Sequence, residues 1–260
     1  MNPAKTVKLC DQWFDKDYNL LAKQLIDQKD LAFAFLNTVL QQNENEILEE
    51  YNNSIMTTET GHQKVSKKYS DLLLLFVEIL CEKKFKNQIV DFVSRDYFPI
   101  DESLAICDKK GALEASAVLN KRKGLYKESV DLYVEVMVQH SAHKLIHTLF
   151  DVTFNVNDHN TANKHIIEFN NLLQQVIKIC EKHGSRLSDV LCEDLWLHTI
   201  QKIFGIKDRV KAIMKKGAEL DSSSEEEQTE EKENFDRFLA SKNQYFMQRM
   251  SEYVNLRKII

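Results

Sequence analysis

The sequence predicts an all-α chain, folded as an irregular α-solenoid of stacked helical hairpins. Three observations carry that expectation. Only 6 glycines and 2 prolines occur in 260 residues, too few for the frequent turns of an all-β protein. Apolar residues recur at three- and four-residue spacing through one segment after another, with no convincing period-two strand between them. The stretch ALEASAVLNKRKGLYKESVDLYVEV places small residues, a glycine and tyrosines as helical hairpin repeats do.

Taken in order, residues 1–41 are read as N-terminal helices, near Asp17–Gln28 and Leu31–Gln41. Residues 42–68 are polar and rich in Asn, Glu and Thr, and read as a loop with a short helix around Ile47–Tyr51. The core solenoid is placed at 69–217. Ser70 and Asp71 are candidate caps for DLLLLFVEILCEKKF. That helix is apolar on nearly every side, so neighbours should cover more than one of its faces. Helices follow near Lys86–Arg95, from Asp101 to Gly111, at Ala112–Lys123, Tyr126–Gln139 and Ser141–Val152. Further helices are expected at Thr161–Lys182, Ser188–Phe204 and Lys207–Lys216. An acidic linker is expected at 218–233 and a C-terminal amphipathic helix at 234–260.

The hairpin residues are Ala115, Gly124, Tyr126, Ser129 and Tyr133. Ala112, Ala115 and Ala117 are small enough for close helix approach. Gly124 supplies a left-handed end to the first helix. Tyr126, Ser129, Val130 and Tyr133 are expected to face back towards it. One hairpin cannot bury its own apolar faces, whereas a stack can. The alternative architecture is an ordinary helical bundle with the same small-residue crossing.

Charge and composition exclude several functions. The formal net charge is -5, but Glu219–Glu233 alone carries -7, with eight acids and one lysine. The remainder is nearly balanced, leaving no basic stripe for nucleic acid or an anionic membrane. Cys10, Cys81, Cys107, Cys180 and Cys192 sit mostly in apolar helical contexts, as buried reduced thiols do. The most apolar run, Leu72–Cys81, spans only about ten residues against the ~20 that a bilayer demands. The N-terminus has no apolar signal core. A soluble, cytosolic protein is expected.

The block YSDLLLLFVEILCEKKFKNQIVDFVSRDYFPIDESLAICDKKGALEASAVLNKRKGLYKESVDLYVEVM resembles the clathrin-heavy-chain-type helical repeat of the vacuolar protein-sorting tethers. Within that family it looks most like the subunit particular to the CORVET complex. IIEFNNLLQQVIKICEKHGSRLSDVLCEDLWLHTIQKIF and LAFAFLNTVL agree in order. The likeness covers roughly Tyr69–Phe204. Full-length members carry an N-terminal β-propeller and usually a C-terminal zinc-binding RING-type segment. This chain shows neither and is expected to be a C-terminal solenoid piece or a shortened relative. The resemblance implies a scaffold subunit in endosomal or vacuolar membrane tethering and vesicle transport, cytoplasmic and peripheral on those membranes. Its implied partners are other tether subunits and, through the complex, a Rab GTPase. Another helical-repeat scaffold, in a coat or in ciliary transport, is the alternative.

Candidate chemistry is sparse, and no catalytic residue or cofactor is expected. His140, His143 and His147 lie at i, i+3 and i+7, so one helix face could offer all three to a metal. No carboxylate sits at a partner spacing on that face, and a polar solenoid surface is the preferred reading over a helical metal-dependent hydrolase. Cys180, His183, Cys192 and His198 are ligand types that zinc accepts, but buried helical thiols explain the cysteines. No nucleophile elbow, phosphate loop or paired-Asp motif appears. Ser222, Ser223 and Ser224 each have a Glu three residues on, which suits acid-directed phosphorylation. The final amphipathic helix is expected to dock on the rest of the chain.

Overall fold

Asp17 opens the helix that starts at Tyr18 by accepting a hydrogen bond from the Leu20 backbone N–H at 3.2 Å, an N-cap of the ordinary kind. The computed structural model describes residues 5–8, 12, 17–57, 67–82, 84–145, 159–184, 188–218 and 225–254. Among the described residues there is no strand, and twelve α-helices follow one another from Tyr18 to Ser251. The all-α expectation holds. Two compact units divide the chain, Met1–Lys123 and Gly124–Ile260.

The first unit contains α1 (Tyr18–Leu25), α2 (Lys29–Gln42), α3 (Glu44–Thr57), α4 (Lys67–Leu80), α5 (Lys86–Val93), α6 (Ile100–Lys110) and α7 (Leu113–Lys123). Its centre is α4, whose Tyr69, Leu72, Leu73, Phe76, Val77 and Leu80 are all fully buried. As its apolar circumference requires, α4 is covered from several sides, by α1, α2, α5 and α6. The rest of the packing is serial: α1 lies on α2, α2 on α3, α5 on α7, and α6 on α7. Gly111, at φ +68, ends α6 in the left-handed region, and the Ala112 N–H closes the cap on the Cys107 carbonyl at 2.9 Å. That tight turn lays the small face of α7 on α6, where the buried Ser116 hydroxyl donates to Asp108 at 2.6 Å.

Arg122 holds the end of α5. Its Nη1 donates to the Val93 carbonyl at 2.8 Å and its Nη2 to the Asp96 carbonyl at 2.7 Å. These carbonyls have no partner in a helical ladder, and a forked cation satisfies two at once. Arg122→Ala is expected to destabilise the first unit by about 2–4 kcal/mol, at roughly 1.5–3 for each charged hydrogen bond with partial rehydration. The urea midpoint should fall with an unchanged slope. Arg122→Lys, which lacks the fork, should recover less than half of the loss.

The second unit contains α8 (Tyr126–His140), a π-helical turn (Ser141–Leu145), α9 (His159–Gly184), α10 (Asp189–Phe204), α11 (Ile206–Ala218) and α12 (Glu225–Ser251). Here too most contacts join successive or next-but-one helices, and one longer contact, α8 with α11, spans as many helices as α1 with α4 does in the first unit. The hub is α8, which meets α9, α10 and α11, and α12 lies on α10. Phe235, Leu239, Phe246 and Met250 of α12 are buried, so this helix does dock on its own unit. Arg249 reaches Glu181 of α9 through Nε at 2.9 Å and through a second, closer bond from Nη2.

Three expectations need correction. The segment 42–68 is not a loop throughout: α3 occupies Glu44–Thr57. Its first turn carries Glu44 and Glu46, which suit a helix N-terminus. Ile47 buries completely, and Glu44 accepts a 2.8 Å bond from Arg95. Contacts with the rest of the unit, these two among them, thus hold a helix whose composition reads as loop. Second, α4 starts at Lys67, so Ser70 and Asp71 lie inside it and cap nothing. Third, the segment 218–233 is not linker throughout, because α12 begins at Glu225.

Candidate functional site

The hairpin residues fall on both sides of the division between units. Ala115 is buried in the first, on α7, which packs on α6 and α5. Gly124, at φ +85, takes the left-handed conformation expected after α7. Ser129 and Tyr133 are buried in the second unit on α8, and Tyr126 stacks on His183 at 4.3 Å. The side chains of α8 therefore meet α9 and α10. Ser222, Ser223 and Ser224 lie outside the described residues, as do His147 and the side chain of His143.

A different grouping forms around His140. The chain leaves α-helical register directly after this residue and makes a π-helical turn, a widening frequent at functional sites. His140 is the last residue of α8, and across from it α9 presents His165 and Glu168, three apart on one face. His140 Nε2 lies 3.3 Å from His165 Nδ1 and 3.0 Å from Glu168 Oε2. The triangle closes at 3.5 Å between His165 Nδ1 and Glu168 Oε2. The side chains grade from interior to surface, at 6% exposed for His140, 16% for His165 and 47% for Glu168.

Burial pushes the His140 imidazole below its usual pKa, against the opposing pull of Glu168 and with help from the positive charges of His165 and Lys144. Partial burial would raise Glu168, but the charges of His140 and Lys144 and the imidazole hydrogen bonds outweigh it, and its carboxyl sits below the usual range. Glu168 is ionised at neutral pH. Two ring nitrogens and a carboxylate oxygen converge there, with more lone pairs than protons to share among them.

The other sequence candidates do not gather. The buried Cys180 thiol is within 3.2 Å of the Thr199 hydroxyl, and burial pushes it up to about 12. His183 is the ring beneath Tyr126, and His198 pairs with Asp131 at 2.8 Å. Cys81 and Cys107 are a buried thiol pair; the Cys107 hydrogen bond holds Cys81 low while Cys107 itself is pushed up. Cys81, Cys107 and Cys180 are buried free thiols as the sequence led us to expect, whereas Cys192, expected to be buried with them, is only half-buried.

Reasoning from sequence missed His165 and Glu168. The search for a carboxylate was confined to the face of one helix, and the carboxylate is on the next. The signal present was the pair His165-x-x-Glu168 itself, a spacing that puts an imidazole and a carboxylate on one helical face. Fold and site together define an all-α protein of two helical units with a His–His–Glu cluster in the second. Comparison with protein-family models, with curated proteins and with solved structures finds no match.

Proposed function

We propose that this chain is a scaffold and interaction subunit of an endosomal or vacuolar membrane-tethering complex, acting through the surfaces of an irregular α-solenoid and not as an enzyme. The observation that supports this most is the packing of the first unit. Within that unit α2 packs on α3 and α4, α4 on α5 and α6, and both α5 and α6 on α7. Stacked hairpins bury their apolar faces in that way, and extended binding surfaces follow from it.

The tethering assignment rests further on the resemblance of Tyr69–Phe204 to the vacuolar-sorting repeats. Sister tether subunits are the proposed partners, with a Rab GTPase reached through the complex and the membrane reached through those partners. Among the described residues no helix is long and apolar enough to cross a membrane. Affinity purification of the tagged chain from its own cells, after mild cross-linking, is expected to recover vacuolar-sorting subunits in stoichiometric yield. Recovery of coat or ciliary-transport subunits alone would replace this reading with the other helical scaffold.

A further inference from the structure

We propose that His140, His165 and Glu168 bind one divalent ion of the zinc class, fixing the end of α8 to α9 and leaving a further coordination position to solvent on the Glu168 side. The proposal stands apart from the tethering reading, because it concerns a site inside the second unit.

The geometry carries it. A tetrahedral ion with bonds of about 2.0–2.1 Å holds its ligand atoms about 3.3–3.4 Å apart. The cluster's three edges are 3.3, 3.0 and 3.5 Å. The separations are therefore already those of a coordinated set, with the three atoms drawn from two helices. Hydrogen bonding serves two edges of this triangle, with the His140 Nε2–H shared between Glu168 Oε2 and a bare His165 Nδ1, and leaves two lone pairs facing across the 3.5 Å edge. A central cation satisfies all three atoms at once.

Two imidazoles and one carboxylate select zinc, or its close analogue cobalt(II), over magnesium or calcium, which prefer all-oxygen shells.

Two features limit affinity. Coordination through Nε2 places the ring proton of His140 on Nδ1, which is buried and has no hydrogen-bond partner. Sites lacking that outer partner bind about 10–100-fold more weakly than those that have it. The charge of Lys144 also opposes a cation, as it already acts on both His140 and Glu168.

The test uses the full chain, reduced and stripped with chelator, titrated with zinc and separately with cobalt(II). Expected are one ion per chain, visible d–d bands of four-coordinate cobalt, and a thermal midpoint that rises with zinc concentration. Glu168→Gln keeps the shape and a hydrogen bond but removes the charge. It and His165→Ala, both at partly exposed positions, should each weaken zinc more than tenfold while circular dichroism stays that of the parent. Lys144→Ala should tighten binding a few-fold. Absence of stoichiometric zinc would overturn the proposal, and so would binding that survives both Glu168→Gln and His165→Ala, since the ion would then belong to the cysteines.

Discussion

Replacing Trp196 with alanine is expected to remove about 3–5 kcal/mol of stability, within the range for deleting a large buried aromatic side chain. Trp196 is fully buried on α10. Phe246 of α12 lies 5.4 Å from it, and Tyr253 stacks on it at 5.6 Å with the rings 20° apart. The indole is thus the seat on which the C-terminal helix rests, and its loss leaves a cavity between two helices rather than a dent in one. Small domains are stable by about 5–15 kcal/mol in total, so the variant should approach half-unfolding under mild conditions. Urea denaturation followed by circular dichroism measures the loss, and hydrogen exchange locates it in α10 and α12. A change under about 1 kcal/mol would mean that α12 does not depend on Trp196 for its seat.

That seat was half legible in the sequence. The stripe Phe235, Leu239, Phe246 and Met250 announced an amphipathic helix, because those side chains share a face whatever they pack against. Its partner was not announced. Nothing local in α10 distinguishes the buried Trp196 from the exposed Val190 and Leu191 a turn or two earlier. Which apolar residue a helix buries is decided by the neighbour that arrives, and the neighbour lies some fifty residues away.

The same division separates the other successes from the errors. The all-round apolar character of α4 is a property of its own residues, and it forced the correct inference that several helices surround it. The helix α3 failed in the opposite sense. Its residues are mostly polar, and contacts that hold it, such as buried Ile47 and the Glu44–Arg95 pair, are tertiary. His140 was visible as a candidate ligand, but His165 and Glu168 stand 25 and 28 residues further on. They become its neighbours only because α9 lies against α8. Sequence periodicity reports which face a helix will hide. It does not report against what.

Phe76→Ala should be the most damaging single change in the first unit, again at about 3–5 kcal/mol. Phe76 is fully buried on α4. Phe33 of α2 stacks beside it at 5.6 Å, and Phe92 of α5 meets its edge at 4.8 Å. Such pairs contribute about 0.5–1.5 kcal/mol beyond the area they bury, and this ring makes two of them, to two different helices. Phe76→Leu separates the effects: it keeps most of the volume, loses both ring contacts, and should cost about 1–2 kcal/mol. If serial packing governs this unit, the alanine variant should raise amide exchange in α2 and α5 as well as in α4, because each leans on that ring. Protection lost in α4 alone would show that the neighbours do not draw their stability from it, and the stacked-hairpin account of the first unit would fail.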